Sequence, residues 1–291
     1  MNYLIHILIL IEIYYILATA LNLIAGYTGL LSIAQAAFYG VGAYIGALMA
    51  LNLETPLLAN LFCAALLCAL FGILLGLPSL RIRDDYFTVA TLAFQIIIFN
   101  IMNNWVSLTG GPLGIAGIPE PNILGWNLSP SSNFLLFTTL VSGFVLWLIH
   151  RLVSSPFGRV LKAIREDELF ALSLGKNIAV YKLSIFVLGA GLAGIAGVLY
   201  AYYISFIDPF TFTVSESVLI LAMVIIGGAG MLLGPIVGAT LLIILPELLR
   251  FVGLPIAQAA YLRQILYGSL MVGFLILRPQ GLAGYNRFGQ K

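Results

Sequence analysis

The sequence predicts an all-α fold, a polytopic transmembrane helical bundle of about 8–10 spans with broken or re-entrant glycine-rich segments. Two observations carry this. Of 291 residues, 62% are hydrophobic and only 8% are charged, against roughly 25% charged in an ordinary soluble domain. Apolar stretches of about 20 residues, the length that crosses a bilayer, recur from Met1 to Lys291 with no hydrophilic block large enough for a separate globular unit. The chain therefore reads as one transmembrane domain over residues 1–291.

Windows of apolar residues bounded by Gly, Pro and charge place spans at 3–25, 30–51, 57–79, 86–106, 133–150, 183–206, 216–231, 235–250 and 263–278. Around Gly227–Pro235, "GGAGMLLGP" reads either as a tight turn between two short spans or as the tip of a re-entrant element. No Lys or Arg precedes the first apolar run, so the N-terminus is expected to be a retained span rather than a cleaved signal.

Orientation follows from the basic residues, which favour cytoplasmic loops. With the N-terminus outside, eleven fall inside (Arg81, Arg83, Arg151, Arg159, Lys162, Arg165, Lys176, Lys182, Arg278, Arg287, Lys291) and only Arg250 and Arg263 fall outside. The C-terminus is then cytoplasmic. A net charge of +2 gives no reason to expect a nucleic-acid partner.

Two loops stand out. The cytoplasmic one, about 151–182, holds six of the thirteen basic residues and the consecutive acids Glu166, Asp167 and Glu168. Within it, Ser155 as N-cap, Pro156 at the first helical position and Gly175 as the stop predict one helix from Pro156 to Leu174. Phe157, Val160, Leu161, Ile164, Ala171 and Leu172 make one face apolar, as on a helix docked in a partner's groove or lying on the membrane surface. Acids gain nothing from anionic lipid, so a protein partner explains the triplet better than lipid or plain solvent does. The outer loop, about 107–132, has five Gly, four Pro, one acid and no Lys or Arg; it reads as a cap on a pathway, a docking place for a delivery protein, or an irregular connector.

Charge is scarce inside the spans. Only Glu12 lies well within one, while Asp208, Glu216 and Glu247 fall near span ends where interfacial solvation explains them. Coupled secondary transporters and pumps normally spend more charge at that depth. Uncharged polar residues are commoner, and Ser32, Gln35, Thr91, Gln95, Asn103 and Thr109 are candidate pathway residues for a small solute without net charge, with helix-packing glue as the alternative for each. Gly42 with Gly46, and Gly72 with Gly76, read as packing motifs. Cys63 and Cys68 read as inert thiols in one apolar segment. No GxxxxGK[ST] element and no metal-ligand spacing occurs, so no ATP site, metal or other cofactor of the chain's own is expected, nor is enzyme chemistry.

Seven segments taken together resemble one family: Gly26–Tyr44 "GYTGLLSIAQAAFYGVGAY", Leu80–Phe94 "LRIRDDYFTVATLAF", Asn104–Pro119 "NWVSLTGGPLGIAGIP", Ser155–Gly175 "SPFGRVLKAIREDELFALSLG", Tyr181–Tyr200 "YKLSIFVLGAGLAGIAGVLY", Met223–Ala239 "MVIIGGAGMLLGPIVGA" and Arg278–Gly284 "RPQGLAG". The family is the permeases of bacterial ABC importers for branched-chain amino acids, of the M type. The resemblance implies a second permease subunit, two ATP-binding subunits and a substrate-binding protein as partners, in the lipid of the inner membrane. It also implies an ATPase-coupling role for Gly158, Arg159, Ala163, Arg165, Glu166, Asp167, Glu168 and Gly175. Ala34, Ile96 and Met231 depart from the family pattern near the expected pathway, whereas the coupling loop shows no comparable departure. Urea-importer permeases share nearly the same motifs and stand as the alternative; a secondary transporter without ATPase partners is the alternative from another class.

Overall fold

A backbone amide left unpaired in hydrocarbon costs several kcal/mol, so a chain this apolar satisfies its backbone inside helices. The protein is described by a computed structural model covering residues 2–79, 84–123, 126–128, 131–250, 256–277 and 281–282. Among the described residues, six helices are long and apolar enough to cross a membrane: α1 (Asn2–Leu21, prolonged by a π-helical turn at Asn22–Gly26), α2 (Gln35–Leu53), α3 (Leu57–Ser79), α4 (Asp84–Asn104), α6 (Ser131–Ser154) and α9 (Ile178–Ile204). Three further helices of the bundle among these residues are α10 (Val214–Gly227), α11 (Gly234–Arg250) and α12 (Ile256–Leu277). The short helices are α5 (Val106–Thr109), α7 (Pro156–Glu166) and α8 (Glu168–Ser173). Of the strands, β1 (Ile115–Ala116) pairs antiparallel with β4 (Phe206–Ile207), and β2 (Asn122–Ile123) with β3 (Trp126–Asn127).

All nine predicted spans have a helical counterpart, and α3 coincides with the predicted 57–79. The second span differs: helix begins at Gln35 rather than at residue 30, and Gly29–Ala34 runs as irregular backbone, with Leu30, Ser32 and Ala34 buried and Gly29 and Leu31 exposed. Gly29 takes the left-handed conformation (φ 80°) that lets the chain leave the preceding helix there. At 227–235 the turn reading holds, since α10 and α11 form a helical hairpin joined by residues 228–233. The 14 residues of α10 rise only about 21 Å, short of a hydrocarbon core of about 30 Å, so this helix starts inside the bundle.

Contacts sort the helix ends into two sets. Gly26, Arg165, Gly230 and Gly281 meet at one end of the bundle, where Leu282 N–H also donates to Ile226 O at 2.8 Å. At the opposite end His6 stands 2.7 Å from the Tyr203 hydroxyl, Asn60 donates to Tyr202 at 2.6 Å, and Ile115 pairs with Ile207. Successive spans therefore run in alternate directions. Arg81, Arg83, Arg278, Arg287 and Lys291, all used in the orientation count, lie outside the described residues.

Helix α9 is the centre of the bundle, packing on α1, α2 and α3. Glycines bring the backbones together: a Cβ at Gly42 would overlap the Gly194 carbonyl, and one at Gly197 would overlap the Tyr39 carbonyl. Between helices in lipid, such close approach supplies the van der Waals contact that replaces a hydrophobic driving force. Gly197→Leu is accordingly expected to lower stability by about 3 kcal/mol through overpacking. Gly143 on α6 has open space around its Cβ position, so thermal unfolding of detergent-purified Gly143→Leu should match the parent; equal losses in both variants would contradict this packing.

Candidate functional site

The surface element between α6 and α9 is built by local signals. Ser155 Oγ accepts from Gly158 N at 3.4 Å, and Pro156 occupies the first turn, so α7 starts where the punctuation placed it. Gly158 is required there because any side chain would run into the Val153 carbonyl. Leu161 and Ile164 are buried beneath α7, while Arg159, Arg165 and Glu166 are exposed and Ala163 is half-buried.

The predicted single helix 156–174 is in fact two. Asp167 leaves the helix (φ −157°, ψ 109°) and its Oδ1 accepts from Phe170 N at 3.1 Å, capping α8. An aspartate followed by free amides prefers this cap to a place in a helix interior. Downstream, Gly175 (φ 71°) ends α8, and Asn177 Oδ1 caps α9 through Val180 N at 3.4 Å. Glu168 forms an ion pair with Lys182, a buried side chain on α9, fastening α8 to a span. What α8 leaves outside is apolar: Leu169, Phe170, Leu172 and Leu174 are all more than half exposed beside Glu166 and Asp167.

Arg165 carries this surface into the bundle. Its Nη1 donates to Gly26 O, at the end of α1, and its guanidinium lies against Gly230, where a Cβ would collide with it. Lys162 stands 6.0 Å from the Tyr27 ring centre. Burial pushes the Tyr27 hydroxyl above its usual range, partly offset by the Arg165 charge, so it remains a neutral phenol facing these cations.

Below lies a polar core. Ile33 N donates to Thr91 Oγ1 at 3.1 Å, Thr88 Oγ1 to Leu31 O at 3.0 Å, and Ala34 N to Ser32 Oγ at 3.3 Å, so the irregular segment before α2 takes its partners from side chains. Ser217 Oγ accepts from Ala36 N at 2.9 Å and donates to Gln95 Oε1 at 3.2 Å, while Gln95 Nε2 donates to Phe212 O at 2.8 Å. Gln35 Nε2 donates to Leu17 O at 3.3 Å. Asn22 fixes the α10–α11 turn, donating to Met231 O and accepting from Gly230 N, both at 2.8 Å.

Of the candidate pathway residues, Ser32, Gln35, Thr91 and Gln95 are thus brought together, fully buried, around interrupted helices. Asn103 and Thr109 lie apart, near the C-terminal end of α4. There Thr109 Oγ1 donates to Met102 O at 2.7 Å and accepts from Gly111 N at 3.2 Å. Glu12 is mid-helix as expected, with Oε1 accepting from Thr139 Oγ1 at 2.6 Å. Glu216, expected near an interface, is instead hydrogen-bonded to Tyr14 in the middle of α1. The expectation failed because it assumed a full-length span; the break at Asp208–Pro209 and the shortness of α10 were the signals that place its first turn deep in the bundle.

Alternating spans, interrupted helices lined with side-chain hydrogen bonds and an amphipathic surface element tied to one end define a multi-pass membrane transport subunit. The chain matches the family described as branched-chain amino acid transport system, permease component, over residues 3–275, and it belongs to that family. It is 37% identical to the high-affinity branched-chain amino acid transport system permease protein LivM of Salmonella typhimurium, covering 94% of this chain and 68% of that one. A probable branched-chain amino acid transport permease protein LivM of Methanocaldococcus jannaschii is 28% identical, over 95% of this chain and 92% of its own. LivH of Salmonella typhimurium, also a high-affinity branched-chain amino acid transport system permease protein, is 26% identical over 93% and 91%. No solved structure matches the chain.

Because Gln95 completes the bonding of Ser217 and Phe212 O, Gln95→Leu is expected to lower stability by about 1–3 kcal/mol. Ser173→Ala on exposed α8 should change the same unfolding midpoint little, as surface substitutions stay within about 0.5 kcal/mol.

Proposed function

We propose that this chain is a permease subunit of an ATP-driven importer of leucine, isoleucine and valine, forming half of the translocation pathway. The match to LivM and LivH permeases over nearly the whole chain carries this reading. A heterodimer with a second, related permease fits the existence of two permease types among the relatives. Two ATP-binding subunits supply the energy and a periplasmic or lipid-anchored binding protein delivers the solute. The complex sits in the bacterial inner membrane with the N-terminus outside and the C-terminus cytoplasmic, the arrangement that keeps most Lys and Arg inside.

In this reading α7 and α8 are the coupling surface. Leu169, Phe170, Leu172 and Leu174 fill an apolar cleft on the ATPase, and Arg159, Glu166 and Asp167 pair with charges around it. Gly158 and Ala163 let the helix lie close to its surroundings, and Gly175 sets the turn into α9. Arg165 and Glu168 transmit displacement of this surface, the first to the ends of α1 and α10, the second to α9. Ser32, Gln35, Thr91 and Gln95 hold the interrupted segments that frame the pathway, and Asn103 and Thr109 shape its outer mouth. Alternating exposure follows when the two halves of the pathway rock under ATP-driven closure.

The reconstituted complex should take up labelled leucine in an ATP-dependent manner, with competition by isoleucine and valine and none by urea. Uptake of urea alone, or uptake that survives ATP depletion, would overturn the reading. Gly175→Val forces a β-branched residue into a left-handed conformation at about 1–2 kcal/mol. It should lower both uptake and substrate-stimulated ATP hydrolysis while the binding protein still binds leucine; normal stimulated hydrolysis would remove Gly175 from the coupling surface.

A further inference from the structure

Faces turned to lipid are recognisable on this chain. The outward side of α3 is apolar along its length, as at Leu66, Leu70 and Leu74, and α6 presents Leu140, Phe144 and Trp147. Helix α4 is different. Its outward side carries Ile96, Ile97 and Ile101, each more than 40% exposed, and among them the exposed amides Asn100 and Asn104.

Each of these amides spends one N–H on its own helix: Asn100 Nδ2 donates to Ile96 O and Asn104 Nδ2 to Asn100 O, both at 2.9 Å. The second N–H and the carbonyl oxygen of each need other partners, and lipid has none. A headgroup border does not supply those of Asn100, which lies a full turn inside the end of α4 with exposed Ile96, Ile97 and Ile101 around it, so it sits within an apolar face. A shallow groove of about 530 Å³ runs over them, lined by Ile97, Asn100, Ile101, Asn104 and Trp105.

We propose that this outward face of α4 is one wall of the solute passage and that Asn100 and Asn104 contact the solute directly. The chemistry matches a neutral amino acid with a branched apolar side chain. Isoleucines receive the side chain, while the amides donate to the carboxylate and accept from the ammonium. Uncharged amides hold a zwitterion without trapping it, as conduction requires. The buried polar residues on the opposite side of the same helix, Thr91 and Gln95, keep the wall in place through the backbone they bind. The second permease subunit provides the facing wall. This assignment rests on the importer reading, but its test does not depend on which solute is carried.

The test is cysteine accessibility in the complete importer, reconstituted in liposomes, with Cys63→Ala as background and the buried Cys68 retained. Asn100→Cys is compared with Leu140→Cys on the outward side of α6. A membrane-impermeant methanethiosulfonate should modify Asn100→Cys, slow uptake roughly tenfold or more, and react at a different rate when loaded binding protein and ATP are present. Leu140→Cys should stay unreactive. If Asn100→Cys is as inert as Leu140→Cys, the face is covered by lipid or by a partner helix and the proposal fails. Modification without loss of uptake overturns it as well. As a second variant, Asn100→Leu should keep complex assembly and unstimulated ATP hydrolysis while losing uptake; full uptake by Asn100→Leu removes the residue from the passage. A wild-type complex that carries another solute through a reactive Asn100→Cys wall would overturn the substrate and leave the wall standing.

Discussion

The structure depends on one constraint: backbone that leaves the helix inside a bilayer must find its hydrogen bonds within the protein, because lipid provides none. Among the described residues, interruptions before α2 and before α10 create that demand, and the α10–α11 turn at the end of the bundle is held in the same way. Thr88, Thr91, Gln95, Ser217 and Asn22 meet it from other elements. Polar residues in this chain are therefore placed by where helices break, and the breaks in turn fix how α1, α2, α4 and α10 sit on one another. Glycine-mediated contact of α2 with α9 closes the same arrangement from the other side.

Those breaks also meet the surface element. Arg165 reaches from α7 to Gly26 at the end of α1 and lies against Gly230 in the α10–α11 turn, which Asn22 of α1 holds by two hydrogen bonds. In the proposed coupling, a push on α7 would reach both of these elements at once. Continuous helices would pass such a push along their axes; an interrupted one yields locally, which suits a gate. Glu168 with Lys182 gives a second, separate tie to α9.

Much of this was legible in the sequence because hydropathy and Gly, Pro and charge punctuation are local signals. Span α3 and the start of α7 are instances, the first from an uninterrupted apolar run and the second from Ser155–Pro156. The segment 29–34 was not legible, since "GLLSIA" is as apolar as a helix and its irregular path is held by Thr88 and Thr91 on another span. Asp167 as a cap is hidden inside an otherwise periodic stretch, because the apolar pattern continues across it. The depth of Glu216 and the division of α4 into a buried polar side and an exposed one depend on which neighbours pack where, and one sequence does not contain that. The coupling residues were named from a family resemblance; the geometry gives two of them, Arg165 and Glu168, a physical connection to the spans.

In the proposed coupling, force enters the pathway through Arg165. The deciding measurement is ATP hydrolysed per leucine taken up by the reconstituted importer carrying Arg165→Ala. Hydrolysis should continue with uptake lowered roughly tenfold, the effect of losing a coupling energy of about 1.4 kcal/mol. An unchanged ratio at normal uptake would remove Arg165 from the coupling path.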